Sequence, residues 1–328
     1  MSKIDDLMKN LYTDILNKGY LRDPDNQYYA DGTQARRQSL FGGTLRIEPE
    51  DGLAFVTSKY VPPKSATAEV LGFYQHYTNS VEELQSLGTK VWDEWGATGS
   101  IGRSYGYQIG KQLYKVKDVS CETLEVIKSS YQISNDPNFN YMFVHSTGDI
   151  SYYDKIYLNQ MEYVIWQIID KPESTRILTD IWTISDIESM ALPPCVFFTQ
   201  WVVMGDQLNL LIKPRSSDAF LGLPFNVAQF HVLLHLVSHV TNKKLGTFEV
   251  QMSDVHLYDR HFEQAKQFID NPTYRSPQIW IDPSVKKWGD FKYGDNFGIK
   301  EYEHAGTIKA EITVNQKELE EKNMSYKA

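Results

Sequence analysis

The 328-residue chain is short of cysteine, of long apolar runs and of positive charge. Its two cysteines, Cys121 and Cys195, cannot staple a chain of this size, so a reducing cytoplasm is the simplest setting. No window approaches the roughly 18 consecutive apolar residues of a membrane span. The opening MSKIDDLMKNLYTDILNKGY lacks the basic-then-apolar layout of a secretory signal and reads as a short amphipathic helix. A net charge of −9 does not supply the basic field of a long nucleic-acid groove, so neither nucleic acid nor a membrane is an expected partner. A few placed arginines can still reverse the field locally for a small anion. Repeats and low-complexity segments are missing as well.

What is present is a mixture of helical and strand periodicities. Residues 3–19 and 155–170 read as helices, as do ATAEVLGFYQHY, NSVEELQSLG and HFEQAKQFID, and LPFNVAQFHVLLHLVSHVTNKK is the strongest. FGGTLRIEPEDGLAFVTSKYV carries two strand-like runs around a Glu-Pro-Glu-Asp-Gly turn, and RILTDIWTI, CVFFTQWVVM, QLNLLIKPR and FEVQMSDVHLY are β-rich. Strands and helices without regular βαβ alternation predict an α+β fold. From about Val116 to Asp154 the chain turns polar around an Asn-Asp-Pro-Asn cluster, which reads as an insertion within one domain.

Several fragments carry chemistry, each with a plainer alternative. Cys195 follows a Pro-Pro stop and heads an apolar strand, either as a buried structural thiol or as a nucleophile beside a cation. KPRSSDAFLGLPFN offers Arg215, Ser216 and Asp218 in one loop, and an arginine with adjacent hydroxyls suits a phosphate. Asn226 in the same fragment can donate and accept at once, or merely cap the helix. His256 and Tyr258 alternate on a strand, so they face one side and suit a sugar hydroxyl or form a surface pair. His231, His235 and His239 recur at metal-gripping spacing, but without the Glu of a zinc helix and among apolar residues. Packing on a buried helix is the better reading, and no metal is expected. GATGSIGRSYG lacks the ending of a phosphate-binding loop and carries little weight.

Taken in order, Glu69 in AEVLGFY, VWDEW, the Gly-x-x-Tyr-Gly around Tyr105, LPPC, Gln200, PRSSDAFLGLPFN and DVHLY together resemble the thymidylate synthase family from about residue 7 to residue 314. The resemblance implies a single catalytic domain over 1–328, with an insertion at about 116–154 and a C-terminal extension 315–328. It implies an α+β fold whose large mixed sheet, surrounded by helices, packs back to back with its copy in a homodimer. The substrate would be dUMP and the one-carbon donor 5,10-methylenetetrahydrofolate. By the same resemblance Cys195 would attack C6 of the pyrimidine, and Arg215 would hold the phosphate with Ser216 and favour the thiolate. Asn226 would read the uracil edge, His256 and Tyr258 would bind the 3′-hydroxyl, and Gln200 would also contact the nucleotide. Glu69 would organise water and proton transfers at O4, and Tyr105 would help remove the C5 proton. Asp218 would hold the pterin, within a folate wall of Trp92, Trp95, Leu192, Gly222 and Phe225. Arg176 would reach the phosphate in the partner's site.

Departures from the family pattern bear on the product. Val196 stands where the family has His after its cysteine, Thr175 where it has the first of paired arginines, and Gly72 where it has Trp. The N-terminal phosphate loop is reduced to GTQARRQSL, leaving Arg36 or Arg37 as the phosphate candidate. TIKAEITV matches the usual chain end, whose free carboxylate helps seal the folate site, yet NQKELEEKNMSYKA follows Val314. If water reaches the exocyclic methylene intermediate, 5-hydroxymethyl-dUMP forms instead of thymidylate. Val196 and the extension point to a dUMP hydroxymethylase, whereas Trp92, Trp95 and Leu192 support the alternative, a thymidylate synthase. A third reading, an inert regulatory homologue, is opposed by the joint retention of Glu69, Cys195, Arg215 and Asn226.

Overall fold

The computed structural model describes residues 2–23, 27–96, 98–111, 114–116, 119–127, 144–147, 150–153 and 156–314. The expected extension 315–328 lies outside the described residues, as does much of the expected insertion. Helix α1 (Lys3–Lys18) buries Ile4, Met8, Tyr12 and Ile15, the stripe that its periodicity predicts. It is followed by α2 (Pro63–Tyr74), α3 (Val81–Leu87), α4 (Tyr105–Gly110), α5 (Cys121–Ile127), α6 (Gln160–Asp170), α7 (Gly222–Val240) and α8 (Phe262–Asp270). Among the described residues no helix is long and apolar enough to cross a membrane.

The main sheet has seven strands, β1 (Tyr20–Arg22), β2 (Arg37–Ile47), β8 (Leu178–Asp180), β9 (Val196–Met204), β10 (Gln207–Pro214), β11 (Ser216–Asp218) and β12 (Lys244–Tyr258). Their order is β1-β2-β12-β10-β9-β8, with β11 added to β12. β12 runs parallel to β10 and β11 and antiparallel to β2, so the sheet is mixed, as the α+β pattern requires. Smaller sheets pair β3 (Tyr114–Val116) with β7 (Ile156–Leu158), join β4 (Val119–Ser120), β5 (Val144–Thr147) and β6 (Ile150–Tyr153), and pair β13 (Gln278–Ile281) with β14 (Phe297–Lys300). Val116, Val119, Leu124 and Ile127 belong to the same hydrophobic cluster as α1, α2, α7 and the main sheet, so the described part of the insertion shares the central core.

α7 is the axis of that core. It packs on α2 and against β10 and β12, and its interior residues are buried on nearly all sides, which a helix apolar around its whole circumference requires. The second strand-like run near Leu53–Val56 is buried but is not a strand. Side chains satisfy its backbone instead: Ala54 N–H donates to His231 Nδ1 at 2.9 Å, and Thr57 N–H donates to the Asp5 carboxylate. The helix expected over 155–170 begins only at Gln160, behind an Asn159–Glu162 capping box, because Ile156–Leu158 is taken into β7.

Asp5 is the main tether of the segment leading to α2. It is wholly buried and accepts from Thr57 N–H, the Thr57 hydroxyl and Ser58 N–H at 2.7–2.9 Å. Removing the carboxylate leaves these donors buried and unpaired, a loss of about 2–4 kcal/mol. Asp5→Ala is therefore expected to lower the urea midpoint by that amount at constant m, and a loss under about 0.5 kcal/mol would refute the tether.

Candidate active site

Pro193 and Pro194 hold the chain extended into Cys195, and β9 begins at the next residue. β9 and β10 form a hairpin that turns at Gly205 (φ 62°) and pairs from Gln207↔Met204 to Pro214↔Val196, with a register shift after Lys213. Cys195 and Arg215 flank its open end, where Arg215 N–H donates to the Cys195 carbonyl at 2.9 Å. The Arg215 side chain folds back: Nε donates to Pro194 O and a terminal nitrogen to Pro193 O, both at 3.0 Å. Its guanidinium carbon lies 5.1 Å from the Trp182 ring centre. The remaining N–H groups are left to bind an anion.

β11 then pairs in parallel with the end of β12, Ser216 opposite Asp254 and Asp218 opposite His256. Directly paired residues project from one face, so Ser216, Asp218, His256 and Tyr258 share a side. The His256 and Tyr258 rings lie 5.1 Å apart, as their alternation predicts. Asp218 Oδ1 accepts from Phe220 N–H (2.9 Å) and Leu221 N–H (3.1 Å), which fixes the carboxylate at the entry to α7. At Gly222 an added Cβ would have only Asp218 Cβ within 4 Å, at 3.7 Å, so this turn leaves room beside the carboxylate.

The opposite wall comes from α2 and α4. Cys195 N–H donates to the Tyr105 hydroxyl oxygen at 2.9 Å, and the Tyr105 ring stacks on Phe73 (4.8 Å) and meets the edge of Trp92 (5.5 Å). Trp95 lies 5.8 Å from Trp92, and the Ser104 hydroxyl donates to Leu192 O at 2.9 Å. Glu69 is buried on α2, where the Gln229 and Trp92 side chains offset part of the rise that burial imposes on its carboxyl. Asn226 Nδ2 donates to Gln229 Oε1 at 3.1 Å.

Burial dominates the electrostatics. It pushes the Cys195 thiol above its ordinary value; Arg215 opposes the rise, while Asp218 and Glu69 add to it. The expected thiolate-favouring effect of Arg215 is thus real in sign but smaller than desolvation. Burial also raises Glu69 to about 7 against the lowering influence of Gln229 and Trp92, and lifts Tyr258 to about 12 with help from Asp218. Tyr105 is held well above the phenol range by burial, then by the Cys195 charge. These mutual influences join Glu69, Tyr105, Cys195, Arg215, Asp218 and Tyr258 into one site.

Other sequence candidates lie at its margins. Arg36 pairs with Asp23 at 2.6 Å and is half exposed. Arg37 instead lies opposite Tyr258 on β2 and points one terminal nitrogen at Asp254 (3.4 Å). Arg22 also binds Asp254, and His256 Nδ1 is 3.1 Å from it. Burial would raise the Asp254 carboxyl, but the His256 hydrogen bond and the nearby positive charges hold it near 2. Arg176 is exposed, and Gln200 turns toward the Thr175 carbonyl at 3.5 Å, beside Arg176. Phe225 is half-buried on the first turn of α7. The His231 and His235 rings lie 4.9 Å apart, with His231 Nδ1 taken by Ala54 N–H, whereas His239 turns away and its Nε2 meets Val285 O at 2.8 Å.

Three site features escaped the sequence reading. Gln229 is signalled by its position three residues after Asn226 on one helix face. The Arg22–Asp254 pair is signalled only by Asp254 lying two residues before His256. Lys59 had no signal: it is buried at 4.1 Å over the Phe220 ring, bonded to Phe220 O and lowered by burial to about 8 despite Asp218.

A raised thiol sets an expected alkylation profile. Iodoacetamide labelling of Cys195, followed by peptide mass mapping, should climb with pH with a midpoint above that of a free thiol. Arg215→Gln should move it higher still, and a plateau already reached at neutral pH would contradict the assigned balance.

A family model described as thymidylate synthase matches residues 7–314. Thymidylate synthase 1 of Bacillus spizizenii is 30% identical over 318 residues, covering 96% of this chain and 100% of that protein. The thymidylate synthase of Bacillus phage phi3T is 30% identical over 318 residues with the same coverage. The solved structure of thermostable thymidylate synthase A from Bacillus subtilis superposes with a TM-score of 0.77 at 29% identity, covering 95% of this chain and 99% of that one. The fold, the order of the motifs and these likenesses agree: the chain belongs to the thymidylate synthase family.

Proposed function

We propose that this chain transfers a one-carbon unit to C5 of dUMP through a covalent bond between Cys195 and C6, and that it releases thymidylate. The observation that carries the reaction class is the convergence of Cys195, Tyr105, Arg215, Glu69 and Asp218 on one desolvated site. 5,10-Methylenetetrahydrofolate would supply the one-carbon unit and, for a methyl product, the reducing equivalent. Trp95, Leu192 and Phe225, all partly exposed, offer it apolar surface with Trp92 buried behind Trp95, Gly222 leaves room for its approach, and the fixed Asp218 carboxylate suits its N–H groups.

The chain's own groups then have distinct tasks. Arg215 and Ser216 bind the phosphate through charge-assisted hydrogen bonds, and His256 and Tyr258 bind the 3′-hydroxyl. As Sγ bonds to C6 the thiol proton passes by way of Glu69 to O4, which takes up the electron pair displaced from the C5–C6 double bond. Glu69, poised near 7, can both give and take a proton at O4 at neutral pH. Tyr105 stays a neutral phenol and serves C5 deprotonation by hydrogen bonding rather than as a phenolate. Asn226 reads the uracil edge. In a homodimer, Arg176 would add a cation to the partner's phosphate site and Gln200 would lie beside it. The bare apolar side chains of Phe41 (99% exposed) and Met204 (66% exposed) on the sheet strands support back-to-back pairing.

Water access decides the product. Val196 is 1% exposed within the core, and a Cβ at Gly72 would lie 2.5 Å from Leu84 Cδ2, so apolar packing fills both departures. Val314 is 3% exposed, with its N–H and C=O both bonded to Tyr28 at 2.8 Å, so it is seated although the chain continues. These features support exclusion of water and a methyl product. The second reading, a hydroxymethyl product, keeps one specific support: Val314 is peptide-bonded to Asn315 and has no free carboxylate to offer.

Enzyme given dUMP and methylenetetrahydrofolate should form thymidylate and dihydrofolate in equal amounts, read by mass spectrometry and by dihydrofolate absorbance. 5-Hydroxymethyl-dUMP without dihydrofolate would establish the second reading. Cys195→Ser should abolish both products and the covalent capture of 5-fluoro-dUMP. Turning the amide of Asn226 into a carboxylate removes the donor to O4, so Asn226→Asp should narrow or reverse the preference for dUMP over dCMP, and an unchanged ratio would refute the uracil contact.

A further inference from the structure

Between α2 and α7 three polar side chains form a chain inside an otherwise apolar contact. Glu69 (7% exposed) stands on α2, and Gln229 (3% exposed) and Asn226 stand one turn apart on α7. Asn226 Nδ2 donates to Gln229 Oε1 at 3.1 Å, which turns the Gln229 NH2 away from Asn226, and the Gln229 side chain lowers the Glu69 carboxyl. Val196 beside the nucleophile is apolar and cannot join this chain.

The direction of each bond follows from what each group can do. In its ionised form the Glu69 carboxylate only accepts, so Gln229 then presents its NH2 to it, the orientation that the Asn226 bond shows. Its oxygen is thereby turned to Asn226, and Asn226 must present an N–H in return. One Asn226 N–H and its Oδ1 remain for a ligand in a set arrangement. This matters because an amide turned over by 180° offers the opposite pattern. In one orientation it donates to O4 and accepts from N3–H of uracil. In the other it accepts from the amino group and donates to N3 of cytosine. An asparagine alone discriminates poorly between the two bases; one held from behind does not.

We propose that Gln229 is a specificity-determining residue: it locks the Asn226 amide in the orientation that reads uracil and rejects cytosine. The proposal rests on dUMP being the substrate, and extends that reading to a residue that does not itself touch the base. Since Gln229 lowers the Glu69 carboxyl, its loss should also displace the pH profile upward.

The test compares dUMP and dCMP binding by calorimetry in the wild type, Gln229→Leu and Gln229→Glu, alongside the pH dependence of kcat. The wild type should prefer dUMP by at least about a hundredfold. Gln229→Leu should cut that preference tenfold or more and raise the Glu69-dependent limb of the pH profile. The carboxyl introduced by Gln229→Glu still accepts from Asn226, so it should keep most of the preference. If Gln229→Leu fails to fold, Gln229→Met, which conserves volume, takes its place with the same expectation. A variant in which both nucleotides weaken equally, at an unchanged ratio and pH limb, would overturn the proposal and leave Gln229 a packing residue. A wild type that fails to prefer dUMP would instead sink the reading of the substrate.

Discussion

One backbone hydrogen bond, from Arg215 N–H to the Cys195 carbonyl, closes the open end of the β9–β10 hairpin, and the site is built outward from it. It sets Cys195 beside Arg215 without any contribution from their side chains. Because Arg215 is followed immediately by β11, the same closure delivers Ser216 and Asp218 to the end of β12, where His256 and Tyr258 emerge. Asp218 then caps the turn into α7, whose first turns carry Phe225, Asn226 and Gln229. A one-residue slip in the pairing of a strand would turn its side chains to the other face and take them from this site.

Around that frame the protein trades charge stabilisation for dryness. Cys195, Glu69, Tyr105 and Tyr258 all rise for the same primary reason, loss of solvent, and the nearby charges only modulate the rise. A site with a resting thiol and a half-protonated carboxyl suits a reaction in which protons move with the bonds rather than ahead of them. Arg215, pinned by Pro193 and Pro194 carbonyls, is preorganised instead of mobile, so little reorganisation is needed when an anion arrives.

The sheet, the long buried helix and most site residues were legible because each rests on a local pattern. The Cys195-to-Arg215 interval is one hairpin, His256 and Tyr258 obey strand alternation, and α7 is apolar all round. What could not be read depends on contacts across the chain. The Leu53–Val56 run looks like a strand, but Asp5 and His231, far away in sequence, take its hydrogen bonds. That Arg37 rather than Arg36 lies opposite Tyr258 follows from pairing with β12, which no local pattern states. Lys59 carries no motif because it is buried against Phe220, 161 residues away in sequence. The product-determining segments were the hardest, since a substitution such as Gly72 acquires meaning only once Leu84 is seen to occupy the space.

The bridge between Tyr28 and Val314 has a consequence for the order of events in folding. Together with the Thr313 hydroxyl, which donates to Gln27 across 286 residues of sequence, it joins two stretches that are neighbours only after everything between them has settled. Ring closure over such a distance is entropically unfavourable until the intervening chain is compact, so this junction belongs among the last contacts to form. By the same reasoning it belongs among the first to open. The Tyr258 hydroxyl shares the Gln27 acceptor with Thr313, so the stretch beside Tyr258 is also the stretch whose opening demands the least of the remaining fold.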